Sequence, residues 1–366
     1  MRTTKRIAGC VLGVGLLLAV TVSGQDAGSV VAWGYNWYGQ CDVPGIGFVA
    51  VAAGAGADHS LGLKADGSII ARGFNFFGQC NVPAPNADFT GVAGGRNHSL
   101  GVKADGSVVA WGDNYAGQCD VPEPNADFVA VSAGWYYSLG LRADGSIVAW
   151  GENFAGQCNV PSPNTDFVAV AAGGSHGLGL KADGSIVAWG ANNKGQCDVP
   201  APNTDFVAVA GGTLQSLGLK AGGSIVAWGH NGAGQCDVPA PNTGFVAVAA
   251  GHMHSLGLKA DGSIVAWGDN TYGQGNVPEP NTGFVALAAG YAHSLGLKAH
   301  CGDLNCDGTV DLADINPFVL YLSNNAAWHA TFPGCPLLNG DINQDGTFGE
   351  GSFGDINPFV ALLTGG

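Results

Sequence analysis

The chain has 366 residues, of which 46% are hydrophobic, only 11% are charged and 62 are glycine. That apolar share fills a core and excludes a disordered chain, and glycines that do not recur at every third position exclude collagen. The formal net charge of −15 disfavours nucleic acid and anionic membrane as partners, both polyanions.

Residues 1–24 read as an export signal. Arg2, Lys5 and Arg6 make the charged start, Ile7 to Val22 is apolar, and Val22-Ser23-Gly24 is a small-residue cleavage site before Gln25. The apolar run is shorter than the ~20 residues a membrane-spanning helix needs. The mature protein is therefore expected to be secreted or attached at the cell surface.

From Gly28 to His300 one period governs the chain. Trp-Gly recurs with Trp33, Trp111, Trp150, Trp189, Trp228 and Trp267, and Arg72 stands in the remaining slot, every step being 39 residues. A second marker begins at His59, His98, Tyr137, His176, Gln215, His254 and His293 with the same spacing. Seven copies of such a period signal a solenoid or a propeller. Each copy holds four strand-like runs, as in Phe167–Gly173, His176–Lys181, Ser185–Gly190 and Gly195–Pro200, with a hairpin signal at Ala182-Asp183-Gly184. Four-stranded units repeated radially describe a β-propeller. The region starts on the third strand type and ends on the second, so one blade is expected to combine two strands from each end of the chain. Residues 25–300 are thus expected to form an all-β, seven-bladed β-propeller.

Trp150-Gly-Glu-Asn-Phe-Ala-Gly-Gln157, with the Ala-Ala-Gly and His-Ser-Leu motifs, resembles the repeats of the regulator-of-chromosome-condensation family. The short period and the Gly-Gln-x-x-Val-Pro ending look closer still to the secreted bacterial β-lactamase inhibitory propeller. The resemblance implies a protein-binding propeller face, without implying β-lactamase as the target.

The copies differ at two places. One follows Trp-Gly and holds Trp37, Tyr38, Phe76, Phe77, Tyr115, Phe154 and Tyr272; the other precedes the second marker and holds Asp58, Arg96, Trp135, Tyr136, His252 and Tyr291. In a meander the first and third strands run the same way, so both variable loops emerge at one end. The candidate binding face is Trp37, Tyr38, Phe76, Phe77, Arg96, Tyr115, Trp135, Tyr136, Phe154, His252, Tyr272 and Tyr291, with its aromatics concentrated in the first four copies. Large rings offer buried area at little rotamer cost.

The recurrent histidines occupy equivalent slots of different blades and are expected to be structural. Cys41, Cys80, Cys119, Cys158, Cys197 and Cys236 share one slot; neighbouring outer strands diverge beyond the ~7 Å reach of a disulfide, so they are expected to be unbridged, buried, small apolar residues. Asp113 and Glu152 fall at equivalent slots of adjacent blades and are the one carboxylate pair a glycoside hydrolase would use.

After His300 the period stops. Asp303, Asn305, Asp307, Thr309, Asp311 and Asp314, with Gly308 at the turn, have the spacing of an EF-hand calcium loop. Asp341, Asn343, Asp345, Thr347 and a delayed Asp355 make a second loop, enlarged or completed by Glu350. Pro317 and Pro358 suit the first turn of a helix after each loop. Residues 301–366 hold eight acids and no Lys or Arg, so this small α-helical, EF-hand-like domain is expected to bind two calcium ions and to need them for folding. Paired units of this kind resemble a type I dockerin, which implies attachment to a cohesin-type module. The enlarged second loop and the connector with Trp328 and Cys335 depart from that pattern. Cys306 is expected to pair with Cys335, or either with Cys301.

The sequence therefore points to a secreted, monomeric, non-enzymatic protein: a propeller whose face recognises an extracellular protein, and a calcium-dependent tail that attaches it elsewhere. The alternatives are a carbohydrate-binding component of a polysaccharide-degrading complex and a propeller glycoside hydrolase.

Overall fold

The computed structural model describes residues 28–299; the expected export signal and calcium-binding tail lie outside the described residues. The described residues form strands, turns and loops, with no helix. Seven antiparallel three-stranded blades surround one axis. In the fifth blade the inner strand is Phe206–Gly211, the middle strand Gln215–Lys220 and the outer strand Ile225–Gly229. The closing blade takes Phe284–Ala289 and His293–Ala299 from the late chain and Gly28–Gly34 from the early chain, in full register from Gly28 against Ala299 to Gly34 against His293.

Two expectations need correction here. The fourth run of each copy is not a strand, and the clasp joins two late strands to one early strand. In Gly195–Pro200 the backbone bonds go elsewhere: the Cys197 N–H donates to Asn192 Oδ1 at 2.8 Å, and Asn192 Nδ2 donates to Asp198 Oδ1 at 2.7 Å. The Asn side chain folds the segment into turns, and Pro200 has no N–H to offer a ladder.

Inner strands carry a bulge after their leading Phe, for instance between Phe206 and Ala208, which turns the next residue outward and leaves Val129 and Val168 exposed. The Phe ring then lies across the middle strand. A Cβ on Gly179 would sit 2.4 Å from Phe167 Cε1, so the Leu-Gly-Leu pattern is the imprint of that ring. A cation covers each ring, from Lys64 over Phe48 at 5.6 Å to Lys220 over Phe206 at 3.6 Å.

Blades are held to one another in three ways. Each Trp-Gly indole is buried against the preceding blade; Trp111 packs with Leu61, Leu63 and Ile69, and its Nε1 donates to the Gln79 carbonyl at 2.9 Å. Inner strands from all seven blades, with residues such as Ala93, Ala133, Ala172 and Ala210, enclose an axial cavity of about 90 Å³. The third is a ring of histidines, each fully buried. His59, His98, His176, His254 and His293 place Nε2 2.9–3.0 Å from Ser99, Ser138, Ser216, Ser294 and Ser60 of the next blade. Each of those serines donates its own proton to a Gln carbonyl, as Ser60 does to Gln40 at 2.8 Å. Nε2 is therefore the protonated nitrogen and the serine accepts. Tyr137 and Gln215 fill the two remaining slots by donating to backbone carbonyls of the next blade. Burial depresses the histidines, to about 4 for His59, His176 and His254 and about 3 for His98 and His293.

The first copy departs from its siblings inside an unchanged 39-residue period. His59 follows Phe48 by eleven positions, whereas His98 follows Phe89 by nine. The loop before Phe48 is shorter by the same two residues, so the spacing of the markers conceals the change.

Candidate binding face

Both variable loops lie at one end of the propeller and are tied together within each blade. The residue after Trp-Gly donates its N–H to the residue before the second marker: Phe74 to Asp58 at 2.8 Å, Asp113 to Asn97 at 2.9 Å, Glu152 to Tyr136 at 2.9 Å and Asp269 to Met253 at 2.8 Å. At the opposite end the uniform turns are capped by their own aspartates. Asp144 Oδ1 accepts from the Ser146 N–H and hydroxyl at 2.9 and 2.6 Å, and these bonds hold its carboxyl below the usual range.

Six aromatic residues at the varied end form one connected arc. Tyr272 meets Tyr35 at 5.1 Å, Tyr35 meets Tyr38 at 6.2 Å, and Tyr38 meets Phe74 at 5.0 Å. Phe74 stacks on Phe76 at 6.4 Å, and Phe76 meets Phe77 edge-on at 5.1 Å. The expected concentration in the first four copies is thereby extended, because the clasp sets Tyr272 of the sixth blade beside Tyr35 of the seventh. Trp37 is 82% exposed, Phe76 80%, and Tyr115 and Phe154 of the next two blades 96% and 98%. Tyr35 and Phe74 are the rings that sequence reasoning left out of the face. They occupy the slot directly after Trp-Gly, and their aromatic character there was the available signal.

Nearer the axis the picture changes. Arg96 stacks on Trp135 and Tyr136 at 5.2 and 5.6 Å and donates from Nη1 to Tyr136 Oη at 2.9 Å. His252 stacks on Tyr291 at 4.5 Å. Trp135 and Tyr136 are half-buried. The Trp135 indole lies against Gly56, where a Cβ would come within 2.4 Å of Nε1. Gly56 belongs to the lengthened loop of the first blade. Thr213 of the fifth blade donates to the Ala55 carbonyl of that loop at 2.8 Å, and His252 Nδ1 lies 2.9 Å from the Thr213 hydroxyl. Gly54 and Ala55 of that loop also line the axial cavity.

The other candidate groups are engaged locally. Asp113 accepts from the Tyr115 N–H at 3.1 Å and Glu152 from Gln157 Nε2 at 3.1 Å, each within its own blade. The six repeat cysteines are unbridged, as expected, but half-buried where full burial was expected. Their thiols donate to backbone carbonyls, Cys197 Sγ to Ala191 O at 3.2 Å, and burial pushes them up to about 11 or 12. Among the described residues no cluster of three or more His, Cys, Asp or Glu is arranged to hold a metal, and no helix is long and apolar enough to cross a membrane. The expected calcium ligands, Asp303 to Asp314 and Asp341 to Asp355, lie outside the described residues.

The regulator of chromosome condensation (RCC1) repeat matches residues 89–118, 128–157, 167–196 and 245–274. Among solved structures the chain is similar to Prp20p of Saccharomyces cerevisiae, a protein described with binding properties to Gsp1p and histones. That match has 17% identity, a TM-score of 0.65, and covers 79% of this chain and 94% of that one. Human WBSCR16 matches at 17% identity and TM-score 0.59, covering 75% of this chain and 99% of that one. The ectodomain of the Arabidopsis thaliana receptor kinase ACR4 matches at 25% identity and TM-score 0.52, covering 66% and 88%. No curated protein matches. The chain therefore carries RCC1-type repeats on a β-propeller.

Proposed function

We propose that this chain is a secreted, non-enzymatic recognition protein. The varied end of its propeller binds an extracellular protein partner, and residues 301–366 bind calcium and attach it to a cohesin-type module or a surface. One observation carries the reading: the aromatic arc from Tyr272 through Tyr35, Tyr38 and Phe74 to Phe76 lies at the end where the repeats differ most. A framework held constant while one end varies is what a binding scaffold requires, and large rings are the residues that dominate protein interfaces.

The resemblance to the secreted β-lactamase inhibitory propeller supports protein recognition in kind. The arc mixes tyrosine and phenylalanine, and Phe76 and Phe77 meet edge-on, which suits an apolar protein surface better than a sugar ring that needs a free flat face. Hydrolysis is disfavoured because Asp113 and Glu152 are bound up within their own loops. The test is capture of culture-supernatant and surface components on the immobilised mature chain, compared with Trp37→Ala and Phe76→Ala, with and without a calcium chelator. A protein retained by the parent and lost with either substitution supports the reading. Retention of polysaccharide alone overturns it.

A further inference from the structure

Asp58 is the acid at this end that the fold leaves unsatisfied. Its Oδ1 is buried and has no hydrogen-bond partner among the described residues. The other acids of these loops each hold a donor: Asp113 the Tyr115 N–H, Glu152 Gln157, and Asp269 both Thr271 and Gln274. Arg96 is the neighbouring cation, yet its guanidinium is committed to Tyr136 and stacked on Trp135. Burial raises the Asp58 carboxyl, and Arg96 offsets this only in part. Trp135 Nε1, laid against Gly56 two residues away, is a second buried group without a partner, here a donor. A buried orphan acceptor on the Gly56–Asp58 loop and a buried orphan donor on the ring packed against that loop are costly to keep, and each requires an explanation.

The loop itself supplies one. It is the lengthened loop of the first blade, and the Asp58 carbonyl is tied to the Phe74 N–H, which places the residue at the foot of the aromatic arc. We infer that Asp58 is the charged anchor of the binding face, taking a Lys or Arg side chain of the partner protein, while Trp135 Nε1 donates to a backbone carbonyl beside it. Charge complementarity selects this occupant: a carboxylate oxygen without a hydrogen-bond partner, on a loop tied to Phe74 of the aromatic arc, fits a cation carried on an apolar stem, because aromatic rings attract the charge and cover the stem. A cation that replaces the missing hydrogen bond makes a charge-assisted pair at the centre of a desolvated patch, where interface energy concentrates.

The inference rests on the protein-binding reading above, and the experiment separates the two. A random peptide library on phage is selected against the full mature chain, and the most enriched peptide is synthesised. The expected result is a peptide with a basic residue beside aromatic or aliphatic ones. Its binding falls on the order of tenfold with Asp58→Asn and less than twofold with Asp166→Asn at the opposite end, with unchanged melting temperatures. Enriched peptides without a basic residue, or equal binding to Asp58→Asn, overturn the anchor while leaving the face intact if Trp37→Ala still weakens them. Peptides indifferent to both Asp58→Asn and Trp37→Ala overturn the face as well.

Discussion

His293 Nε2 and Ser60 Oγ lie 2.9 Å apart and are separated by 233 positions in the chain. This pair latches the last blade onto the first, using the same histidine-to-serine contact that joins four other blade boundaries. Five buried neutral imidazoles each leave Nδ1 unpartnered, so the ring tolerates no added proton.

Acid should open the ring. A histidine titrates near 6.5 when unfolded but near 4 or 3 here, so the unfolded chain binds more protons between those values and stability falls as pH falls. Stability is fully present above pH 6.5. It declines toward pH 4 by up to about 1.4 kcal/mol per pH unit for each imidazole, and the loss levels off once the folded residues also protonate. Thermal melts from pH 8 to 4 should show this, with a shallower decline for His293→Gln, since Gln215 already fills one such slot. An identical decline in the variant refutes the mechanism.

The exposed rings of the varied end should matter for binding and not for folding. Trp37→Ala and Phe154→Ala remove side chains that are 82% and 98% exposed, so each variant's stability should stay within about 0.5 kcal/mol of the parent's. Binding of a captured partner should weaken on the order of tenfold or more for Trp37→Ala. Thermal melts measure the first quantity and titration calorimetry the second.

Arg72 marks the one blade boundary among the described residues without the Trp-Gly indole. Six of the seven Trp-Gly slots bury an indole against the neighbouring blade, and here an exposed Arg72 donates only to the Ala71 carbonyl. Arg72→Trp should restore that packing and stabilise the propeller by roughly 1 kcal/mol, a rise of about 2–4 °C in melting temperature for a unit of this size. A lower melting temperature would show that this boundary has no room for the ring.

The repeat thiols should be inert. Burial pushes Cys41 and Cys119 to about 12 and the other four to about 11, so almost no thiolate is present at neutral pH. A disulfide reagent at pH 7.5 should leave these six unmodified in the folded chain and label them after denaturation. Rapid labelling of the native chain would contradict this.

Calcium should act on the tail alone. Titration calorimetry should show two binding events in the mature chain, with Asp303→Ala removing one and Asp341→Ala the other. A chelator should leave the propeller's melting transition unchanged. A single lost transition covering the whole chain would mean that tail and propeller fold together.

Period, strand type and blade number were legible in the chain because nearly every copy must bury the same Phe, Trp and His against its neighbour, and a 39-residue repeat records that need. The aromatic character of one end was legible for the same reason, since variation stands out against a constant framework. Three features were decided only in three dimensions. The Gly195–Pro200 run reads as a strand by composition but turns, because Asn192 takes the backbone donor that a ladder would use. The arc continues from Tyr272 to Tyr35 only because the ends of the chain share a blade. Asp58 becomes an unsatisfied acid only because two residues moved from one end of the first copy to the other, a shift the unbroken spacing hides, and burial is a property of the packed loop, not of its letters.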